Sequence, residues 1–389
     1  MKKLTLILIA LLVLALVVTA VGCGGDDDEK TTPTPAPTIT VEPTATATGT
    51  GPSPTATPEP PAYTGGEHTF KFSTTSTLET LGYRRAEYLD ERLRYYTDGK
   101  VKLQIYPGGS LYGAYEMYDA LATGALDMAF MSDYQFMMNG FTGFEMFWLN
   151  CWWGETMEEA GEHNNRFWAH PDGGRKLFAE VGEGGVKMLT NLPSSNEQWL
   201  INDFEMKSLW DMKGKKIAGA PGLGGLFVKR TEGIVAIIDP VEFTIAFSQG
   251  LVDIYPSGAE TVMSMKLHEI ACCSFVVDVL NVVTFISMNM DLWDSLEPEL
   301  QDIIENKVAP DVVAWSEVED PLSRAKSEQE VEDIGHTVYY VSQEERLDFR
   351  QGCWDLAQES GLLDQIDQDL LKVADRLRNE PYDQGEFFP

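Results

Sequence analysis

Hydrophobic and polar positions early in the chain predict a strand, a helix and a second strand in succession. Across 101–106 apolar and polar residues alternate, which is typical of a strand with one buried face. A break at 107–109 is followed by apolar residues at helical spacing over 117–121. Gly124 stands where a left-handed helix cap belongs, and 127–130 begins the next strand. The succession predicts a crossover between parallel strands of an α/β sheet.

A second copy of this pattern occurs near the middle of the chain. In both places an AxxxGxxD pattern ends a helix and begins a strand, formed by Ala120, Gly124 and Asp127 and by Ala246, Gly250 and Asp253. The simplest interpretation makes each glycine a helix cap and each aspartate a polar residue at the start of a strand. The repeat therefore predicts two α/β units.

Further strand and helix patterns follow along the chain. Strands are predicted at 68–73, 215–219 and 338–341, and helices over 78–96, through Phe227 and Ile234, around 347–354 and around 370–377. A long helical stretch is predicted from Pro298 toward Gly335, with a possible break at Pro321. Ser342 and Glu345 have the spacing of a capping box.

The first residues of the chain predict export. Two lysines precede an apolar run over 4–18, and small residues at 20–22 stand directly before Cys23. This arrangement resembles a bacterial lipobox, so we predict a signal peptide over 1–22 and lipidation of Cys23. The alternative is a transmembrane anchor, for which the apolar run is barely long enough.

The segment after Cys23 cannot build a core. Residues 31–62 hold nine prolines and no aromatic residue, a composition that favours extended polyproline structure. We predict a lipidated stalk over 23–66. It would tether the folded region to a membrane outside the cytoplasm, in the periplasm or at the cell surface.

Charge and motif content narrow the function. A net charge of -32, from 61 acidic and 29 basic residues, argues against nucleic acid as a partner, because phosphate binding relies on clustered Lys and Arg. None of the five histidines lies in HExxH, no serine lies in a GxSxG elbow, and no phosphate-binding or GxGxxG loop is complete. We predict no catalytic residue, metal or cofactor. A chain of 389 residues predicts about two domains.

Five landmarks then appear in a fixed order along the chain. They are Gly99, Lys100, Pro107, Gly108, Ser110, Leu111, Glu116, Ala120, Gly124 and Asp127; Asp211, Met212, Lys213, Gly214, Lys215, Lys216 and Ile217; Phe243, Gln249, Gly250, Val252 and Asp253; Ser264, Lys266, Leu267, Glu269 and Ala271; and Met288, Asn289, Trp293, Leu296 and Pro298. Together they resemble the solute-binding receptors of tripartite ATP-independent periplasmic (TRAP) transporters, dicarboxylate-receptor type. The resemblance extends from Phe70 to about Gln351.

The resemblance implies a two-lobed α/β fold like that of periplasmic binding proteins, with mixed sheets, flanking helices and a long connecting helix. The first lobe would comprise 67–197 and about 282–320, and the second 198–281 and about 321–389 with the C-terminal helices. Such a protein is not an enzyme. It captures a small organic solute in the cleft between its lobes and delivers it to a TRAP-type membrane permease for uptake. Hinge closure over the solute is expected.

The resemblance also implies which residues contact the solute. They are Ser76, Thr77, Ser132, Asp133, Tyr134, Phe147, Trp148, Gln198, Trp199, Ala218, Ala220, Tyr255, Ser257, Asp278 and Asn281. One position departs from the family, because Ala218 stands where most members have an arginine that binds the solute carboxylate through two parallel hydrogen bonds. A second basic family position falls at the uncharged Gln198 or Trp199. We therefore expect a solute that is not a dicarboxylate, unless Lys229 or Arg230 supplies the missing charge.

Six aromatic residues after the second strand of the first lobe bear on the solute class: Phe141, Phe144, Phe147, Trp148, Trp152 and Trp153. We expect about half in the core and the others beside an apolar, aromatic or cationic solute. The acidic Asp133 and Asp278 also make an amine conceivable. Two alternatives stay open, namely an extracytoplasmic enzyme that uses a pair such as Asp133 and His163, and a sensor or scaffold whose cleft is filled by its own side chains.

Overall fold

Eleven strands and twelve helices make up the part of the chain that the computed structural model describes. The described residues are 63–78, 80–149, 152–154, 157–192, 199–219, 225–277 and 282–380. All of the described residues belong to one compact unit, Glu59–Pro389. The predicted signal peptide, Cys23 and most of the predicted stalk lie outside the described residues.

The strands are β1 (His68–Ser73), β2 (Val101–Tyr106), β3 (Met128–Ser132), β4 (Val186–Leu192), β5 (Trp199–Asn202), β6 (Lys216–Gly219), β7 (Ile234–Ile237), β8 (Ile254–Ser257), β9 (Cys273–Val276), β10 (Thr284–Asn289) and β11 (Val338–Tyr340). They form two mixed sheets, with strand orders β2-β1-β3-β10-β4 and β11-β9-β5-β8-β6-β7. We call each sheet, with the helices that cover it, a lobe.

The helices are α1 (Leu81–Tyr96), α2 (Met117–Ala122), α3 (Asp133–Met138), α4 (Met157–Ala169), α5 (Gly174–Glu183), α6 (Gly225–Arg230), α7 (Phe243–Ser248), α8 (Ala259–Ser264), α9 (Met290–Ser295), the connecting helix α10 (Pro298–Ile303, a π-helical turn Ile304–Val308, and Ala309–Asp333), α11 (Gln343–Glu359) and α12 (Gln368–Asn379). Short 3₁₀ turns occupy Thr142–Trp148, Leu209–Met212, Pro240–Glu242, Leu267–Glu269 and Leu363–Gln365. No helix within the described ranges is both long enough and apolar enough to cross a membrane.

The two sheets share one plan. In the first sheet β2, β1 and β3 are parallel, and in the second β7, β6 and β8 are parallel in the same relative order. The next strand in each sheet runs antiparallel to this group: β10 pairs with β3, and β5 pairs with β8. The predicted pair of α/β units is therefore present, and the two antiparallel strands carry the chain from one lobe to the other.

The AxxxGxxD repeat does the same structural work in both lobes. Gly124 and Gly250 end their helices at φ +73° and +68°, a conformation that glycine adopts without a steric penalty. Asp127 accepts a hydrogen bond from the backbone N–H of Lys71 at 2.7 Å, and Asp253 accepts one from Lys216 at 2.7 Å. Each aspartate thus ties the start of a strand to the central parallel strand of its own sheet.

The connecting helix bridges the lobes. It is 36 residues long and packs against α1 of the first lobe and α8 of the second. The possible break at Pro321 does not occur, because the helix continues through the proline. Pro321 is exposed, so the carbonyl that loses its helical partner faces water, and the buried side of the helix is held by residues such as Val312 and Ser316.

Two local predictions were wrong in part. The helix that contains Phe227 ends at Arg230, and Ile234 begins β7, because the chain turns at Glu232 (φ +55°) and then pairs with β6. At the start of α11, Ser342 accepts a hydrogen bond from the Glu345 N–H at 3.1 Å. The Glu345 carboxylate does not return that contact and instead accepts the Ser208 hydroxyl at 2.6 Å.

The last two helices reach both lobes. Helix α11 packs on α6 of the second lobe, whereas α12 packs on α4 of the first. Arg166 donates to the carbonyls of Leu377 (2.5 Å) and Glu380 (3.1 Å), and Lys176 pairs with Asp367 at 2.6 Å. Helix α12 and the residues directly beside it are thereby attached to α4 and α5 of the first lobe.

Candidate functional site

A cavity of about 200 Å³ lies between the two lobes. The first lobe contributes Tyr115, Tyr134 and Trp148 to its wall; the second contributes Leu200, Ile217, Ala218, Gly219, Phe227, Val228, Pro240, Phe243 and Pro256; and Val282 lies where the chain returns to the first lobe. Because the strand ends of both sheets and the loops after them meet here, the cavity occupies the position where open α/β folds bind ligands.

The wall is aromatic and apolar. None of the described residues that line it carries a charged side chain. The ring of Tyr134 stands nearly perpendicular to the rings of Tyr115 (6.4 Å between centroids, 82°) and Trp148 (6.4 Å, 86°). These three rings form one side of the cavity, and Phe227 and Phe243 face it from the second lobe. The wall therefore presents ring faces and apolar side chains to the cavity.

Two tyrosine hydroxyls supply polar groups at the wall. Tyr115 donates to the carbonyl of Ile238 at 2.8 Å. The Tyr134 hydroxyl makes no hydrogen bond to another described residue. Burial raises the pKa of Tyr115 to about 12, with the nearby Asp239 carboxylate adding to the rise, and burial raises the pKa of Tyr134 as well. Both hydroxyls therefore stay protonated at neutral pH.

Asp133 lies fully buried behind the cavity wall. Its carboxylate accepts the backbone N–H groups of Tyr134 (2.7 Å) and Val283 (3.0 Å), which joins the start of α3 to the strand that returns from the second lobe. Burial raises the pKa of Asp133 to about 7, against the opposing effect of those two N–H groups and of the Trp148 indole. The Trp148 Nε1–H nevertheless meets no acceptor in hydrogen-bond geometry among the described residues.

The lobes touch each other on one side of the cavity through Asp239. This second-lobe carboxylate accepts the backbone N–H groups of Ala114 (3.4 Å) and Tyr115 (3.3 Å) of the first lobe. Glycine at position 113 leaves room for this approach, because a Cβ there would lie 2.8 Å from Asp239 Oδ2 and the carboxylate would have to shift. The sequence 113–115 is therefore shaped to contact the other lobe.

A second contact between the lobes lies beside the connecting helix. Glu260 at the start of α8 accepts the N–H of Leu81 at 2.8 Å, and this N–H is at the N-terminus of α1 in the first lobe. Arg84 approaches the same carboxylate at 3.9 Å, and Ser323 of α10 donates to it at 3.4 Å. An acidic side chain at a helix N-terminus is favourable, since it meets unpaired N–H groups and the positive end of the helix dipole.

Three of the sequence-predicted contact residues meet at the cavity: Tyr134, Trp148 and Ala218. Four others lie outside the described residues: Gln198, Ala220, Asp278 and Asn281. The remainder lie elsewhere in the lobes. Of these, Ser76 and Thr77 lie in the loop before α1, and Ser132 precedes α3, where its N–H donates to Gln135 at 2.7 Å.

Aromatic packing explains why several predicted contact residues are not on the wall. Phe147 stacks between Trp153 (4.9 Å) and Trp168 (4.5 Å) in the core of the first lobe. Trp199 and Tyr255 are buried in the second lobe, where the Tyr255 ring packs edge-on against Phe243 at 5.4 Å. Ser257 donates to Thr261 at 2.6 Å. These side chains support the wall without forming it.

Most of the second-lobe wall and Tyr115 were missed by sequence reasoning. Tyr115 and Pro240 follow glycine-rich or polar turns whose partners lie in the other lobe. At Tyr115 the sequence shows only an aromatic residue beside a turn, and that pattern is too common in proteins to predict a cavity wall. For Phe227 and Phe243 the sequence predicts a helix position and a family landmark, respectively, and neither prediction points to a cavity wall.

The cations considered as replacements for the family arginine lie away from this cavity. Lys229 is exposed. Arg230 pairs with Asp348 of α11 at 3.3 Å and lies 4.5 Å above the Trp210 ring. Neither lines the cavity wall.

A second cavity of about 260 Å³ holds arginines. Its wall is formed by Leu149 and Trp152 of the first lobe, by Leu226 of α6 in the second lobe, and by residues of α11 and α12. Arg350 and Arg378 both donate to the Trp152 carbonyl, and Arg378 lies over the Trp152 ring at 4.7 Å and 3.5 Å from Asp375. The arginines are thus engaged in holding the C-terminal helices to the loop at Trp152.

The pair proposed for an enzymatic alternative is not assembled. Asp133 is enclosed by backbone N–H groups, while His163 contacts the carbonyl of Trp153. Within the described ranges, His, Cys, Asp and Glu side chains form no group of three that could hold a metal ion.

The fold and the interlobe cavity define a class, the two-lobed extracellular binding proteins. The family described as DctP, bacterial extracellular solute-binding protein, family 7, matches residues 72–361. The chain belongs to this family. The expectations of a periplasmic-binding-protein-like fold and of a solute receptor in place of an enzyme are thereby confirmed.

Individual relatives are distant. The monocarboxylate 2-oxoacid-binding periplasmic protein of Nostoc sp. is 25% identical over 192 residues, which cover 46% of this chain and 48% of that protein. The chain thus matches about half the length of this curated relative. The sugar acid binding protein of Advenella mimigardefordensis, solved with galactonate, has a TM-score of 0.73 at 16% identity and covers 80% of this chain and 98% of its own. A TRAP periplasmic solute-binding protein of Shewanella oneidensis with bound succinate has a TM-score of 0.72 at 16% identity, over 81% of this chain and 100% of its own.

Proposed function

We propose that the protein captures one small organic solute in the interlobe cavity and delivers it to a TRAP-type membrane permease for uptake. Membership of a solute-binding family supports the receptor role, and the fold is that of TRAP solute-binding proteins. The single observation that carries the proposal is a cavity whose wall is drawn from both lobes. A ligand held by both lobes stabilises the arrangement in which they touch.

The proposed setting is the outer face of a membrane. The lipobox-like sequence before Cys23 and the proline-rich segment after it support a lipid anchor and a stalk. Tethering would keep the receptor near its permease at high effective concentration. We propose that the lobes divide near residues 198, 282 and 321, where the chain passes between the two sheets or along the connecting helix.

The test is a scattering and stability measurement on the full chain with named probes. Succinate, pyruvate, galactonate and benzamide are added separately, and the radius of gyration and the unfolding midpoint are recorded. One probe, at about 100 times its dissociation constant, should raise stability by about 2.7 kcal/mol and lower the radius of gyration. If neither the radius of gyration nor the unfolding midpoint changes with any of these probes or with a broad solute library, the result would count against a receptor role.

A cavity variant separates specific binding from surface effects. In Gly219→Leu the new Cβ makes, among the described residues, an ordinary van der Waals contact with Val235 at 3.6 Å, and the larger side chain is added at a residue of the cavity wall. The ligand-dependent shift should disappear. Gly161→Leu on α4 is the matched control, because an added Cβ there meets no atom of the described residues within 4 Å, and it should respond to ligand like the natural chain.

A further inference from the structure

We infer that the interlobe cavity takes an uncharged solute built on a single aromatic ring, held between ring faces and hydrogen-bonded by the Tyr134 hydroxyl. The inference rests on the proposed function and names the solute class of the same site. The named relatives are described with galactonate, succinate or 2-oxoacids, all of which are acids. The wall of this cavity is aromatic and apolar, and no described residue on it is charged.

An anionic solute lacks a partner in this cavity. No cation is found among the described residues on the wall, and Ala218, the position at which the resemblance predicts the family arginine, is uncharged. The segments 193–198, 220–224 and 278–281, which lie outside the described residues, contain no Lys, Arg or His in their sequence. The charged groups that influence Tyr134 are the carboxyls of Asp133 and Asp239. A buried carboxylate without a cation is strongly disfavoured.

Among the described residues of the wall, a cationic solute also lacks a partner; the segments 193–198, 220–224 and 278–281 outside them hold two acidic residues, Glu197 and Asp278. Asp239 is already engaged by the N–H groups of Ala114, Tyr115 and Val241 (3.1 Å for the last), and Asp133 by those of Tyr134 and Val283. Neither carboxylate lines the cavity wall. Ring faces attract a cation, but by about 2 kcal/mol when desolvated, which is less than the cost of removing an ammonium group from water.

The groups that remain available are rings and one hydroxyl. Tyr134 and Trp148 on one side and Phe227 and Phe243 on the other leave space between the lobes. The Tyr134 hydroxyl is protonated and has no partner among the described residues, so it can donate to a carbonyl or ether oxygen of the solute. The apolar walls supply most of the binding free energy, and the hydroxyl fixes the orientation of the ring.

The size of the cavity limits the solute. An apolar cavity of about 150 Å³ is enough to bind benzene. The interlobe cavity, at about 200 Å³, therefore has room for one ring and a small substituent. A sugar acid would place several hydroxyl groups and a carboxylate against apolar walls, where most would have no hydrogen-bond partner.

The decisive comparison uses two probes of nearly equal shape and different charge. Calorimetric titration of the full chain at neutral pH with benzamide should show one site, and benzoate should bind at least about tenfold more weakly. Tyr134→Phe should weaken benzamide binding about fivefold, because one neutral hydrogen bond is lost, while binding of toluene should not change. Tyr83→Phe on α1, outside the cavity, is the control and should leave both affinities unchanged.

The outcomes separate this inference from the receptor role. Benzoate or succinate binding as tightly as benzamide, with loss of binding in Gly219→Leu, overturns the solute class and leaves the receptor role intact. Absence of binding by benzamide and toluene overturns the solute class as well. The receptor role itself fails only if no solute of any class alters the radius of gyration.

Discussion

Two regions of the molecule differ in the charged groups that they contain. Beside the connecting helix, Arg85 donates to Ser316 at 3.1 Å and pairs with both carboxylate oxygens of Asp320, and both side chains of the ion pair are largely buried. At the other region, the interlobe cavity is lined by rings and aliphatic side chains and contains empty space. In the first region the charged groups pair with each other. In the second, no described residue on the cavity wall is charged.

The comparison separates a region that holds two helices together from a region with space for a solute. A buried ion pair with its hydrogen bonds complete needs no ligand, and it fixes α1 to α10. The protein gains stability when an apolar solute fills an apolar cavity, and the Tyr134 hydroxyl can bind a polar atom of that solute. The substitutions described next alter either the ion pair or the cavity and its surroundings, beginning with the largest expected effect.

Removing the buried cation should cost the most. In Arg85→Met the carboxylate of Asp320 remains buried without its partner; burial already raises the pKa of Asp320 to about 6 even with Arg85 present. We expect a loss of about 3 kcal/mol in the free energy of unfolding, measured by urea denaturation. Arg94→Met removes the exposed pair with Asp90 in the same helix and should cost less than about 0.5 kcal/mol. If Arg85→Met and Arg94→Met cost the same, the buried ion pair would contribute no more to stability than the exposed one, and the account would be refuted.

Adding a cation to the cavity should change its preference. Ala218→Arg places a guanidinium beside the wall, where it can form charge-assisted hydrogen bonds with a carboxylate. Benzoate should gain at least about tenfold in affinity, equivalent to about 1.4 kcal/mol, and benzamide should gain less.

The matched control places the same charge one strand away. Ala236 of β7 pairs directly with Ala218 across the second sheet and does not line the cavity. Ala236→Arg should leave the affinity for benzoate unchanged. A gain in both variants would mean that general attraction by positive charge, and not the cavity wall, governs affinity. Cooperative unfolding of both variants is established before titration.

The smallest effect concerns the carboxyl behind the wall. Because burial raises the pKa of Asp133 from 3.8 to about 7, the folded state binds more protons than the unfolded state between these values. The stabilising contribution is complete below about pH 4 and is lost as the pH rises through 7. Relative to Asp133→Asn, the natural chain should therefore lose about 1 kcal/mol between pH 5 and pH 6.

Only the slope with pH is diagnostic for this substitution. The asparagine amide must face one of the two N–H groups that now donate to Asp133, so Asp133→Asn carries a constant loss of stability at every pH. Asp291→Asn, at an exposed position in α9, is the control and should keep the pH slope of the natural chain. Parallel curves for all three proteins would show that Asp133 does not titrate in this range.

Local sequence was sufficient for much of the fold. The alternation over β2, the caps at Gly124 and Gly250, and the repeated Asp127 and Asp253 all depend on neighbours a few positions away, and all appear in the structure. The strand at Ile234 was mistaken for helix because its apolar run is short, and its assignment depends on pairing with β6.

The cavity wall could be predicted only in part. The absence of a charge at Ala218 was visible from the resemblance to the family, and Trp148 stood out as one of several rings. Tyr115, by contrast, meets Ile238 across 123 positions of sequence. Whether a ring such as Phe147 belongs to the core or the wall depends on Trp153 and Trp168 around it. Such contacts between distant segments leave no local pattern.

The central claim is that an uncharged ring binds between the lobes at a wall without cations. The most direct measurement is the anomalous diffraction of a crystal soaked with 4-bromobenzamide, which locates the bromine independently of any assumed site. The account predicts one bromine peak between Tyr134 and Phe243. A peak beside Arg350 and Arg378 in the second cavity, with none between the lobes, would contradict it.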